Sequence, residues 1–230
     1  MPAADNHLID LLPRPERKRL LALCEPVNLV LRDILVEAVT EPPHVWFPRR
    51  GFISLIASTD GKPSLEVGMV GREGMLGTHL ALGCTVAPQQ ALVQGSGSAW
   101  RIGSRQFRGE LDRSPALRRI LNRYVYVVMT QLAGTAACLR FHQIGPRLAR
   151  WLLMSEDRAL SPQFHVTQEF LAYMLGVRRV GVTTAAAALQ RQGLITYRRG
   201  ELTVNDRAGL ELAACSCYAV DCGTYHTLLG

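Results

Sequence analysis

Arg178 and Arg179 open a stretch in which polar side chains gather on one side of an expected helix. Val180, Thr183 and Thr184 share that side, while Val182, Ala185, Ala186 and Leu189 form an apolar one. A guanidinium is a planar fork of donors that pairs bidentately with guanine O6 and N7 or with a phosphate. Arg179 is therefore the expected base reader, and Thr167, Gln168, Arg178, Arg198 and Arg199 are expected at phosphates. Val180 has the apolar surface to touch a thymine methyl.

A second group lies in VGMVGREGMLG, where Gly68, Gly71, Gly74 and Gly77 recur every three residues. Such glycines serve either tight turns or a backbone nest for a phosphate. Gly71, Arg72, Glu73, Gly77, Thr78, Gln89 and Gln90 are the candidate effector pocket.

The cysteines form a third group. Cys215, Cys217 and Cys222 stand within a dozen residues of His226. Their spacing is not a usual zinc-finger spacing, so no metal is expected, and these three are the nearest candidates for one. Cys138, His142 and His165 read as isolated residues. There is no G-x-S-x-G, Walker loop or H-E-x-x-H, so neither an enzyme nor a cofactor is expected.

The elements that must carry these groups follow from local patterns. Thr167 is an N-cap, and Phe170, Leu171, Met174 and Leu175 recur at helical spacing until Gly176 stops the helix. A second helix is expected from about Arg178 to about Gln192. Ala172 and Gly176 permit a close, steep crossing, as in a helix-turn-helix. An ordinary helical hairpin with a solvated basic face is the plainer alternative. Leu194–Tyr197 and Glu201–Val204 are β-rich and flank Arg198-Arg199-Gly200, so a hairpin with a basic tip follows at once.

Upstream, Pro26 to about Arg108 alternates short β-rich runs with turn residues. The runs are Val27–Leu31, Ile34–Val39, His44–Phe47, Phe52–Ala57, Leu65–Val70, Ala91–Gln94 and Ser98–Ile102, with Thr59–Lys62 a hairpin turn. They suggest a sandwich or jelly roll. Pro115 to about His142 reads as one long helix with a seam at Leu121, Val125, Val128, Leu132, Thr135 and Leu139, widened by Tyr124. The seam is expected to form a homodimer interface; burial within its own domain is the alternative. Gln143–Pro146 is the expected hinge before a helix at Arg147–Ala159.

The whole chain sets bounds. Its 230 residues carry a formal charge of +7, which favours a polyanionic partner. A hydrophobic fraction of 48% is enough for a sizeable core. The longest near-apolar run, Tyr124–Leu139, is shorter than the roughly 20 residues that span a membrane. With six cysteines and no signal peptide, the expectation is a cytoplasmic chain with reduced thiols and no membrane partner.

VTQEFLAYMLGVRR, LQRQGLITYRRG and LTVNDR together resemble the DNA-binding domain of the Crp/Fnr bacterial transcription regulators, and the likeness extends more loosely upstream. The resemblance implies an α+β chain in three parts. Residues 1–112 would be a jelly-roll-like β-roll of the cyclic-nucleotide-binding type, and 113–142 the dimerisation helix. Residues 143–230 would be a winged helix-turn-helix with a C-terminal tail. Double-stranded DNA and a second copy are the implied partners, with RNA polymerase and a small-molecule effector left open. Where relatives bind cyclic AMP, a glutamate meets the ribose and an Arg-Ser or Arg-Thr pair meets the phosphate. Thr78 and Gln89-Gln90 stand there instead, so cyclic AMP is not expected. The competing reading is a small-molecule or redox sensor that signals by protein contact and binds nucleic acid non-specifically.

Overall fold

The computed structural model describes residues 5–58 and 64–230; the expected turn at Thr59–Lys62 lies outside them. Two short helices, α1 (His7–Asp10) and α2 (Arg14–Ala22), come first. Asn6 caps α1, and its side-chain nitrogen donates to Pro48 O and Gly74 O at 2.8 and 2.9 Å, so this start is fixed to the sheet.

A five-stranded antiparallel sheet follows: β1 (Glu25–Leu29), β2 (Ile34–Val36), β3 (His44–Ala57), β4 (Leu65–Val70) and β5 (Gln90–Gly103). Its order is β1-β5-β3-β4, with β2 also paired to β5. Four of the short strands expected from sequence merge into two of 14 residues, β3 and β5. The Pro and Gly residues between them mark bulges, not turns: the register shifts between Pro48 and Ile53. Gly51 sits there at φ +74°, and a Cβ on Gly97 would lie 2.0 Å from Arg50 O, so only glycine lets the strands cross this closely.

Inside the sheet, Leu29, Val36, Trp46, Ile53, Val70, Val93 and Ala99 form one core. On its other side α1 and α2 pack with α3 (Ser104–Arg113) and α4 (Pro115–Phe141) around Phe47, Phe107, Leu117 and Leu121. Ser114 caps α4 by accepting from Leu117 N at 3.0 Å, and Pro115 fits the first turn, where its missing N–H costs nothing.

The chain then enters α5 (Ile144–Ala159). Gly145 and Pro146 lie in its first turn, so the break expected over Gln143–Pro146 narrows to His142-Gln143. Next come β6 (Gln163–His165), α6 (Gln168–Leu175), α7 (Arg179–Arg191), β7 (Ile195–Arg198), β8 (Glu201–Val204) and α8 (Arg207–Ala213). A final helix, α9 (Cys217–Leu229), runs back along α4. The three small strands pair in the order β6-β8-β7.

The C-terminal elements rest on the roll through a shared core. Phe52, Ile56 and Met69 of the sheet pack with Leu148, Leu152, Leu171 and Leu189. Polar bonds from α5 also cross the junction: Trp151 Nε1 donates to Glu66 at 2.8 Å, and Arg158 Nε donates to Glu73 at 2.8 Å. Among the described residues no helix is long and apolar enough to cross a membrane.

Candidate nucleic-acid interface

The turn between α6 and α7 is built by its own sequence. The Thr167 hydroxyl oxygen accepts from Phe170 N at 3.1 Å, and Gly176 ends α6 at φ +61°. Leu171, Met174 and Leu175 of α6 and Val182, Ala185, Ala186 and Leu189 of α7 are buried together. Burying those faces leaves Arg178, Arg179, Val180, Thr183 and Thr184 exposed on one side of α7. Val180 is 68% exposed, a large apolar side chain held in solvent at the start of the helix.

The two threonine hydroxyls on this side are already engaged. Thr183 Oγ1 donates to Gln168 Oε1 at 2.7 Å, and Thr184 Oγ1 donates to Val180 O at 3.0 Å. Gln168 is thus fixed against α7. The arginines carry the strong donors of the face, and none of Arg178, Arg179, Arg198 and Arg199 has an ion-pair partner among the described residues.

The expected hairpin is present, and β6 adds a third strand to it. Arg199 and Gly200 form its tip at φ +53° and +86°, the two left-handed residues of a tight hairpin turn. Arg198 and Arg199 are both exposed. His165, isolated in the sequence, lies under the tip with Nδ1 2.7 Å from Glu201. Burial pushes the Tyr197 hydroxyl up to about 12, so it stays protonated and donates to Val166 O at 2.6 Å, joining β7 to the segment before α6.

The candidate effector residues separate into two places. Gly77, Thr78 and Gln89 line a cavity of about 40 Å³ inside the roll, walled by Val36, Leu55, Val70, Met75 and Val128. Burial lowers the pKa of His79 on its wall. Gln90 is outside that wall and donates to Glu37 at 2.8 Å. Arg72 and Glu73 instead line a cavity of about 420 Å³ between the roll, α4, α5 and α9, with Asp157, Tyr218 and Tyr225. Gly71 packs against Arg158 beside it.

The seam residues of α4 also divide. Leu121, Tyr124 and Val125 are buried within this chain, and Val128, Leu132, Thr135 and Leu139 are half-buried. The exposed apolar stripe is Tyr126, Met129, Ala133 and Ala137, with Phe141 at its end. It lies roughly a third of a turn around the helix from the seam, at about 100° per residue.

Among the tail cysteines, Cys215 and Cys217 come together with Cys138 and His142, the two residues that read as isolated. Cys222 and His226 are not in that group. No local spacing signals this meeting, because Cys138 and Cys215 are 77 positions apart.

Residues 146–213 match the family described as the Crp-like helix-turn-helix domain. The whole fold is similar to FixK2 from Bradyrhizobium japonicum, with a TM-score of 0.70 at 12% identity over 84% of this chain and 98% of that one. It is similar to CLP, the c-di-GMP-responsive global regulator of Xanthomonas campestris, with a TM-score of 0.67 at 16% identity over 84% and 99%. A Crp/Fnr-family regulator from Eubacterium rectale gives 0.65 at 15% identity over 92% and 99%. No curated protein matches the chain by sequence.

Proposed function

We propose that this chain, a Crp/Fnr-type transcription regulator by its fold and its helix-turn-helix domain, is a sequence-specific reader of double-stranded DNA that works as a cytoplasmic homodimer. One observation carries the reading. Four exposed arginines without ion-pair partners among the described residues, Arg178 and Arg179 at the start of α7 and Arg198 and Arg199 on the adjoining hairpin, flank a helix-turn-helix. An α7 docked in the major groove by its N-terminus brings Arg179 and Val180 to base edges, while the hairpin tip reaches the neighbouring phosphates.

In this reading residues 1–112 sense or stabilise, 113–142 dimerise and 143–230 bind DNA. RNA polymerase is the further partner through which transcription changes. The second copy is met by the exposed stripe Tyr126–Met129–Ala133–Ala137, because the first half of the seam is used within the chain. The roll does not take cyclic AMP. Its cavity of about 40 Å³ is far below the roughly 300 Å³ that small-molecule sites start from, and its lining offers no arginine or lysine. The larger cavity, of about 420 Å³ with Arg72 and Arg158 on its wall, has room for an effector.

Selection of bound sequences from a random duplex pool tests the reading. Enrichment of a two-fold symmetric motif, with half-sites about one helical turn apart, is expected. Binding that stays equal for enriched and scrambled duplexes at every salt concentration would favour a regulator that acts by protein contact.

A further inference from the structure

The α4 end and the α8–α9 connection meet in a cluster of metal-binding side chains. Cys138 lies in the last turn of α4, and His142 is its C-cap one turn on, with its N–H bonded to Cys138 O at 3.1 Å. Residues at i and i+4 share a helix face, so thiol and imidazole point the same way. Cys215 lies between α8 and α9, held by a bond from its N–H to Pro146 O at 3.3 Å, and Cys217 begins α9. One ligand atom from each of the four lies within 4.8 Å of all the others.

Two of the six separations are close to those of a coordination tetrahedron, and all six are within 4.8 Å. Cys138 Sγ and Cys215 Sγ are 3.5 Å apart, and Cys217 Sγ and His142 Nδ1 are 3.6 Å apart. With Zn–S near 2.3 Å and Zn–N near 2.0 Å, a tetrahedral ion spaces its ligands by about 3.5–3.8 Å. A multi-iron cluster spreads its ligands around several metal atoms, whereas these converge on one point.

The surroundings favour a negative centre. Arg147 and Arg150 are buried and within electrostatic reach of Cys138 and Cys215. Arg150 pairs with Asp221 at 2.7 Å, yet its Nε is buried without a partner among the described residues. Arg147 bonds to Leu175 O and has no carboxylate partner among the described residues. Asp221 and Glu66 are the acids within reach of Arg150, whereas the buried guanidinium of Arg147 is left as a positive charge without an ion pair among the described residues, which is costly in a low-dielectric place. Three thiolates, a neutral imidazole and a divalent cation sum to one negative charge, which offsets it.

We infer that Cys138, His142, Cys215 and Cys217 bind one zinc-class divalent cation in a closed tetrahedral site. Binding releases three thiol protons to solvent, and His142 coordinates through Nδ1 in its neutral form. With four protein ligands the site keeps no open position, so its role is structural. It fastens α9 to the His142-Gln143 break between α4 and α5, and so fixes how the C-terminal elements sit against the long helix.

Metal content of the full chain, purified under reductant, reconstituted with zinc and desalted, tests this. About one zinc per chain is expected, and cobalt in its place should give the intense visible bands of a tetrahedral thiolate site. Cys217→Ser and His142→Ala should each weaken cobalt binding by more than the roughly tenfold that even outer-shell partners are worth. Cys222→Ser should bind as the parent does. Should Cys217→Ser fail to fold, Cys217→His, which keeps a ligating atom, must retain the metal. A reconstituted parent without metal, a weak octahedral cobalt spectrum, or metal lost in Cys222→Ser but kept in Cys217→Ser would overturn the assignment. So would a Cys138–Cys215 disulfide found by mass in the reduced preparation.

Discussion

The indole N–H of Trp151 donates to Glu66 at 2.8 Å, and the hydroxyl of Ser54 donates to the other oxygen of the same carboxylate at 2.5 Å. Glu66 is buried at the junction of β4 with α5, and burial outweighs both bonds, pushing its carboxyl up to about 7. The folded chain therefore holds this proton where the unfolded chain has released it. The contribution to stability is whole below about pH 4.5 and falls as pH rises towards 7, by at most about 3 kcal/mol. Glu66→Gln should flatten that slope. Urea unfolding of both proteins at pH 5 and pH 7.5 checks it, and equal losses in the two would show that Glu66 does not set the slope.

Arg179 should carry sequence preference, and Arg199 affinity. A bidentate arginine–guanine pair discriminates by about 1–3 kcal/mol, whereas phosphates look alike in every sequence. Arg179→Ala should cut the ratio of specific to non-specific binding, and Arg199→Ala should weaken both and flatten the salt slope by about one unit. Titrations of a selected and a scrambled duplex at several salt concentrations separate the two. The opposite pattern would remove α7 from the groove.

Met129→Glu should give a folded monomer. Met129 is 62% exposed in the protomer, so the change costs little there, but a partner helix would bury the new charge. Val128→Glu should instead unfold the roll as well, because Val128 lines its cavity. Light scattering with circular dichroism reads both, and a Met129→Glu dimer as tight as the parent would place the interface elsewhere.

Calorimetry with millimolar cyclic AMP should show no saturable heat. The roll cavity would have to expand several-fold against Val36, Leu55, Val70 and Met75 to admit a nucleotide. Micromolar binding that also tightened DNA binding would contradict this.

The helix-turn-helix was legible because its signals are local. The cap at Thr167, the stop at Gly176 and the two apolar faces lie within thirty residues of one another. The strands of the roll were legible as β but not as two long ribbons, since a glycine at a bulge and a glycine at a turn look the same in sequence. The seam of α4 was legible as apolar surface and no further: a 4-3 repeat does not say which body covers it, and Leu121 and Tyr124 are buried within their own chain. The cysteine cluster was invisible because α9 turns back along α4 only through tertiary packing. Asp221, Tyr225 and Leu229 anchor the returning helix and recur every four residues, but an acid, a phenol and one leucine do not read as an apolar stripe.

Tyr225, near the end of α9, touches His7 at 2.7 Å and donates to Glu73 O at 2.7 Å, while Leu229 sits in the core that holds Leu8 and Ile9. The polypeptide is thus a closed circuit: it leaves the roll through α4, passes through the helix-turn-helix and its hairpin and is sewn back beside its first helix. In two bodies on a single tether, one body can swing while the other stays still. In a circuit, any rotation of the helix-turn-helix part has to strain the return path or peel it open at that seam. The placement of the helix-turn-helix is then governed as much by the grip at residues 7 and 225 as by the break at residue 142.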